Sequence, residues 1–206
     1  MRRHRPRLAA TMGGPAQGAG TACRGNAAML PTAPQDRGLD RSTHCVPSTE
    51  FRNALSKLAT AVSVITTTGP AGAAGVTCSA VCALSDDPAM VLVCVHGKSA
   101  TNAAIKKNGI LCVNCLQAGQ SDLSQAFAGI GAIPMHERFA LGTWDALVTG
   151  APRCKNALIA LDCEVAEVRD IGTHSVFVAK VLATSEAEQG EPLLYQRRAY
   201  VTTCAL

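Results

Sequence analysis

The chain has 206 residues, 48% hydrophobic and 17% charged, enough for one domain with a sizeable core and too apolar to be disordered throughout. Its net charge of +4 is concentrated at the start: residues 1–45 carry seven Lys/Arg against two Asp/Glu, leaving twelve against thirteen in the rest, so no nucleic-acid surface is expected. No apolar run approaches the roughly 20 residues of a membrane span, and no continuous apolar segment follows the basic residues 1–7; neither a membrane anchor nor a secretory signal is expected, and the chain reads as cytoplasmic.

Residues 1–45 are rich in Ala, Gly, Pro and Arg and lack apolar periodicity, so they cannot bury enough surface to offset their ordering entropy. They are expected to be a disordered basic extension, or the product of an upstream start, Met12 and Met29 being further candidates. The organised domain is expected over 46–206. Phe51, Leu55 and Leu58 share one helical face. AVSVITTT from Ala61 is β-branched and alternating, and 69–75 (GPAGAAG) is turn material. GVTCSAVCALS from Gly75 and AMVLVCV from Ala89 read as two strands split by Asp86-Asp87-Pro88.

A short helix is expected over 99–108, with Ser99 as N-cap, Lys106 and Lys107 at its negative end and Gly109 as its stop. Residues 110–116 (ILCVNCL) read as a strand, and 121–128 as a short helix capped by Ser121 and ended by Gly129. Residues 130–153 look looser, punctuated by Pro134, Gly142, Gly150 and Pro152. Long strands are expected over 157–168 and 174–185 around a turn at 170–172, and a last strand over 193–201. The fold class is thus mainly β with small helices, a closed or nearly closed antiparallel barrel. Runs that are apolar on both faces, such as VFVAKVL from Val176, predict outside cover by helices or a second subunit.

No GxGxxG follows the first strand and no GxxxxGK[ST] occurs, so neither a Rossmann site nor a P-loop is supported. Cys112-Val113-Asn114-Cys115 is formally a C-x-x-C, but in a strand residues three apart face opposite ways, and no second pair completes a zinc site. The ten cysteines mostly sit in apolar runs, where Cys acts as a small hydrophobe. Thr77, Ser79, Lys98, Ser99 and Asn102 offer hydroxyls, an ammonium and a helix N-terminus suited to a phosphate monoester; Ser99 could equally be only a cap. His174 has no local partner for a Ser/His/Asp triad. Arg197, Arg198 and Tyr200 are either a solvated terminal patch or contacts to a dinucleotide phosphate.

In order along the chain, FRNALSKLATAVSVITT at Phe51, GVTCSAVCALSDDP at Gly75, LVCVHGKSATN at Leu92, LCVN at Leu111, FAG at Phe127, ERF at Glu137, GTH at Gly172 and PLLYQRRAY at Pro192 resemble the flavin reductase family of FMN-binding split barrels. The likeness extends to the reductase components of two-component monooxygenases, with features of both the 4-hydroxyphenylacetate 3-monooxygenase and the pyrimidine-degradation branches. It implies an NAD(P)H:flavin oxidoreductase that binds FMN or FAD, uses NADH or NADPH, and forms a homodimer with flavin at the interface. Reduced flavin would then diffuse to a flavin-dependent monooxygenase.

Carried over by position, Gly75, Val76, Thr77, Cys78, Ser79 and Ala80 would run along the flavin ring, and Lys98, Ser99 and Asn102 would hold the ribityl phosphate. Asn114, Leu116, Phe127, Ala128 and Gly129 would complete the pocket. Gly172, Thr173, His174, Arg198 and Tyr200 would meet the pyridine nucleotide, with His174 orienting the nicotinamide. No metal is implied. Cys78 departs from the family's usual Ala and would put an oxidisable thiol beside the ring, and the basic extension is foreign to the pattern. The competing readings are a non-enzymatic flavin-binding module of the same barrel and a pyridoxamine-phosphate-oxidase-like flavoenzyme.

Overall fold

The computed structural model describes residues 45–204, so the expected extension over 1–45 lies, but for Cys45, outside the described residues. Helix α1 (Ser48–Leu55) leads into β1 (Thr60–Ala61), β2 (Ser63–Thr67), β3 (Ala74–Cys78), β4 (Val81–Asp86) and β5 (Ala89–His96). Then come α2 (Ala100–Asn108), β6 (Ile110–Cys115), α3 (Ser121–Phe127), α4 (Met135–Ala140), β7 (Trp144–Ala146) and β8 (Pro152–Cys154). The long pair β9 (Ile159–Ile171) and β10 (His174–Glu186) and the short pair β11 (Leu194–Gln196) and β12 (Ala199–Val201) finish the chain.

Seven strands form one sheet in the order β3-β2-β6-β9-β10-β5-β4, and every pairing is antiparallel. Its two edges, β3 and β4, are consecutive in the chain, with only Ser79 and Ala80 between them. The sheet therefore curls until its edges approach: the Cys78 thiol at the end of β3 donates to the Cys94 carbonyl on β5 (3.3 Å), and the Cys94 N–H donates to the Ala80 carbonyl (3.0 Å). Closure of this kind leaves little free edge. Strand alternation sends Ile65, Val91, Val93, Val95, Leu111, Val113, Cys163, Phe177 and Ala179 into the barrel, where Ile105 of α2 joins them.

The opposite faces of β2 and β6 are buried as well. Val62 and Val64 pack with Leu116, Leu123, Phe127, Cys154 and Leu193 under a shell that includes α3 and α4. Phe127, Phe139 and Trp144 meet there edge to face, with ring centroids 5.1–5.8 Å apart.

Several expectations change. Ser121 is the first residue of α3 rather than its cap: Gln120 stands at the N-cap, with no side-chain hydrogen bond to the helix. Residues 75–85 are not one strand: at Ser79 and Ala80, both exposed, the chain leaves one sheet edge and joins the other, a long-range event with no local periodic signal. Residues 193–201 form a hairpin rather than one strand, turning at Arg197 and Arg198 with φ of 49° and 64°. The stretch 130–153 holds α4 and the start of the β7–β8 pair, which its Pro and Gly punctuation had hidden. The turn joining the long strands falls at Gly172-Thr173, with Gly172 at φ 56°.

Candidate active site

The corner at Ser79 and Ala80 is flanked by two grooves of about 220 Å³ each, both touching Thr77, Cys78 and Ser79. Together they fall in the range of about 300–1,000 Å³ usual for small-molecule sites. On one side lie Cys94, Val95, His96 and His174. On the other lie Val62, Ser124, Ala128, Tyr195 and Tyr200.

Two other elements fix β3 in place. Gly75 packs so closely on α3 that a Cβ there would stand 2.5 Å from Phe127 Cε1, and Thr77 Oγ1 donates to the Ser124 carbonyl (2.6 Å). The Ser124 hydroxyl in turn shares a hydrogen bond with the Tyr200 hydroxyl (2.9 Å), which carries β12 to the same wall.

Helix α2 spans the seam between the edges. Thr101 Oγ1 donates to the Gly75 carbonyl on β3 (2.9 Å), and the buried Asn102 amide donates to the Val95 carbonyl on β5 (3.0 Å). Ser99 caps the helix by accepting from the Thr101 N–H (3.2 Å), and Lys98 beside it is exposed. The Thr101 and Asn102 N–H groups are taken up by Ser99, so the helix start presents the Ala100 N–H, the Ser99 hydroxyl and the Lys98 ammonium at the seam, a donor set suited to a phosphate.

His96 and His174 are cross-strand partners on β5 and β10, and their rings meet edge to face at 5.1 Å. His96 Nδ1 accepts from the Lys98 N–H (3.1 Å), leaving the ring proton of neutral His96 on Nε2, and His174 Nδ1 pairs with the Thr173 hydroxyl (2.8 Å). Both rings also line a groove of about 390 Å³ with Lys98, Lys106, Asp170 and Thr173. Lys106 Nζ reaches Asp170 at 2.7 Å, and Ser175 also donates to Asp170; the ammonium first and then the hydroxyl hold that carboxyl below its ordinary range.

Burial pushes the Cys78 thiol up to about 11, against the pull of a backbone hydrogen bond from Ala80. It stays a neutral thiol near pH 7 and is no nucleophile. Cys112 sits in an outer cluster with Ala151 and Ala160, whereas Cys115 packs against the barrel interior, so the C-x-x-C thiols are split between faces. Among the described residues, no cluster of three or more His, Cys, Asp or Glu side chains is arranged for a metal ion.

Of the residues expected along the flavin ring, 76–80 line the grooves and Gly75 is buried against Phe127; Lys98, Gly172, Thr173, His174, Ala128 and Tyr200 converge on the grooves around them, whereas Ser99 caps α2 without lining one. Arg198 lines a further opening that borders Ser79 and Ala80 and shares Ser79 and Tyr195 with the groove beside β3. Asn114, Leu116 and Phe127 are buried behind that wall. Asn114 uses its polar atoms internally, donating to the Val64 carbonyl (3.0 Å) and Thr66 Oγ1 (3.1 Å) and accepting from the Cys154 N–H (2.7 Å). Gly129, at φ 87°, lets the chain turn away after α3. Sequence reasoning missed His96, Ser124 and Tyr195 as site residues. His96 lies inside LVCVHGKSATN, two residues before Lys98, but only the β5–β10 register sets it against His174.

With this geometry in place, comparison with known proteins is informative. The family described as flavin reductase like domain matches residues 55–203. The chain is 43% identical over 151 residues to FMN reductase (NADH) RutF 2 of Rhizobium rhizogenes, covering 73% of this chain and 86% of that protein. Among solved structures it resembles flavin reductase PheA2 in its native state, with TM-score 0.71, 31% identity, and 78% and 100% of the two chains covered. It also resembles BorF, the flavin reductase component of a bacterial two-component tryptophan halogenase, with TM-score 0.70, 27% identity, and 76% and 98% covered.

Proposed function

The chain belongs to the flavin reductase like domain family, and from that premise we propose that it is an oxidoreductase that transfers hydride from NADH, or NADPH, to FMN, with FAD as the alternative acceptor. The observation that carries this reading is the corner at Ser79 and Ala80, grooved on both sides, with a helix N-terminus and Lys98 at one end and paired histidines alongside. The residues present fit the flavin: residues 76–80 offer a wall for the ring, and the Lys98 ammonium, the Ser99 hydroxyl and the Ala100 N–H suit its phosphate.

Bound there, flavin supplies a ring that accepts hydride and NAD(P)H supplies the hydride. The chain contributes alignment rather than covalent chemistry. His174, steadied by Thr173 and by the edge of His96, orients the nicotinamide carboxamide; Tyr200, steadied by Ser124, bounds the opposite groove. Asn102 and Thr101 act by holding α2 across the seam. Cys78, protonated and engaged with the Cys94 carbonyl, sits beside the ring without taking part.

A second copy completes this reading. The outward faces of β4, β5 and β10 carry Leu92, Val176 and Val178, partly buried, beside exposed Leu84 (48% exposed), and adjoin the groove at Cys94 and His96. A homodimer through this face would border the flavin. The reduced flavin then passes to a separate flavin-dependent monooxygenase, in line with the two-component halogenase system to which the structurally similar BorF belongs. Cytoplasmic residence suits the free thiols at the described cysteines; among the described residues no helix is long and apolar enough to cross a membrane.

The test is rapid mixing of purified protein with FMN and NADH under anaerobic conditions. Bleaching of the flavin absorbance on a catalytic time scale is expected, and the absence of bleaching with either NADH or NADPH would overturn the assignment.

A further inference from the structure

A groove of about 670 Å³ borders Ser79 and Ala80, between α1 and the β11–β12 hairpin. Arg52, Leu55 and Leu58 form one wall, and Tyr195 and Arg198 the other. Its lining holds two guanidinium groups and no carboxylate, and among the described residues neither arginine makes an ion pair. Tyr195 and Ser79 also line the groove beside β3, so the two openings are continuous.

The arginine on the hairpin is set there by an unfavourable backbone. Arg197 and Arg198 are consecutive non-glycine residues in the left-handed region, at φ 49° and 64°, where a two-residue hairpin turn ordinarily takes Asn or Gly. The turn is stapled to the end of α1: the Arg197 N–H donates to the Ser56 carbonyl, Gln196 Nε2 donates to the Lys57 carbonyl (2.9 Å), and the Arg198 guanidinium donates to Asn53 Oδ1. The result is that Arg198 lines the groove and Arg197 does not.

We propose that this groove holds the adenosine-diphosphate half of a bound dinucleotide, with Arg52 and Arg198 at the diphosphate and Tyr195 against the adenine. The inference rests on the flavin reductase reading and adds to it. A flavin mononucleotide needs a single phosphate site, and the Lys98 ammonium with the Ser99 hydroxyl and Ala100 N–H suits one. The two arginines form a second cationic end, across residues 79–80 from the first, and it matches the phosphate-bearing remainder of a dinucleotide. Guanidinium groups suit the charge and geometry of a diphosphate, and a half-exposed tyrosine ring offers a purine a stacking face.

The test uses the full chain in steady state, with FMN as acceptor because FMN has no adenylate half. Arg198→Gly and Arg52→Gln are each expected to raise KM for NADH about tenfold or more, the scale of a lost charged hydrogen bond, with the loss in KM rather than kcat. The rise should disappear when reduced nicotinamide mononucleotide replaces NADH. Arg198→Gly should leave the melting temperature nearly unchanged, because the relief of a non-glycine residue at φ 64° offsets the lost exposed hydrogen bond to Asn53. Arg197→Gly relaxes the same turn and should leave KM for NADH unchanged. If KM for NADH holds but KM for FAD rises relative to FMN, the same groove serves the adenylate of FAD. If neither moves, or if Arg197→Gly matches Arg198→Gly, the proposal is overturned. Failure of the wild-type protein to bleach FMN would instead strike the functional assignment.

Discussion

His174 ends the β9–β10 turn with one ring nitrogen engaged by Thr173 and one edge against His96, so its orientation is fixed before any nucleotide arrives. His174→Ala is therefore expected to raise KM for NADH about tenfold while leaving FMN affinity within about twofold, a contrast read from steady-state kinetics and flavin titration. Equal losses of both would mean the residue serves the flavin instead. The buried thiols give a second prediction. Cys78 and Cys163, ordinarily near 9.0, are pushed up to about 11 and about 12 by burial. A folded-state value above the unfolded one gives stability that is complete below pH 9 and is lost as pH rises through 11 and 12, at up to about 1.4 kcal/mol per pH unit for each thiol. Urea midpoints should fall steadily above pH 9, and a flat profile to pH 11 would contradict the burial argument. Of the site residues, His174 was singled out through the family resemblance carried by GTH, since its place at a strand start alone implies no role. His96 was not, because its importance comes from a pairing across some 78 residues of chain.

Strand β3 carries the site because α3 and α2 grip it from two directions, through Phe127 under Gly75 and Thr101 on the Gly75 carbonyl. Gly75→Ala would drive a methyl to 2.5 Å from Phe127 Cε1 and should cost about 1–3 kcal/mol of stability by overpacking, measured by denaturant unfolding. Flavin affinity should fall with it as β3 shifts. Asn114 separates structure from ligand contact. Its side chain ties β2, β6 and β8 together at full burial, so Asn114→Leu is expected to destabilise by about 2–4 kcal/mol, leaving the Cys154 N–H without its acceptor. The elements themselves were largely readable. Ser99, Gly109 and the two lysines bounded α2 within one residue, and continuous apolar, β-branched runs marked β5 and β10. The break at Ser79 and Ala80 was not readable, since residues on both sides look equally strand-like and only the curl of the whole sheet decides where the chain changes edges.

At the scale of the molecule, the compact unit from residue 46 onward contains every strand and helix of the described structure, and the family match falls within it. A chain starting at Val46 is expected to keep wild-type kcat for NADH-driven FMN reduction and an unchanged melting temperature; a large loss of either would assign residues 1–45 a part in the fold or the site. Sedimentation of the full chain should report a dimer, and Leu84→Glu on the outward face should shift it toward monomer and weaken flavin binding together. The sequence by itself determined the class of the fold, the caps of α2 and the family, because these are written in local periodicity, capping chemistry and short ordered motifs. The tertiary structure alone decided that β3 and β4 part to opposite edges, that two histidines meet, and that Arg52 faces Arg198 across a groove. Each depends on the register and curvature of strands distant in the chain, which long-range pairing sets and no window of neighbouring residues encodes.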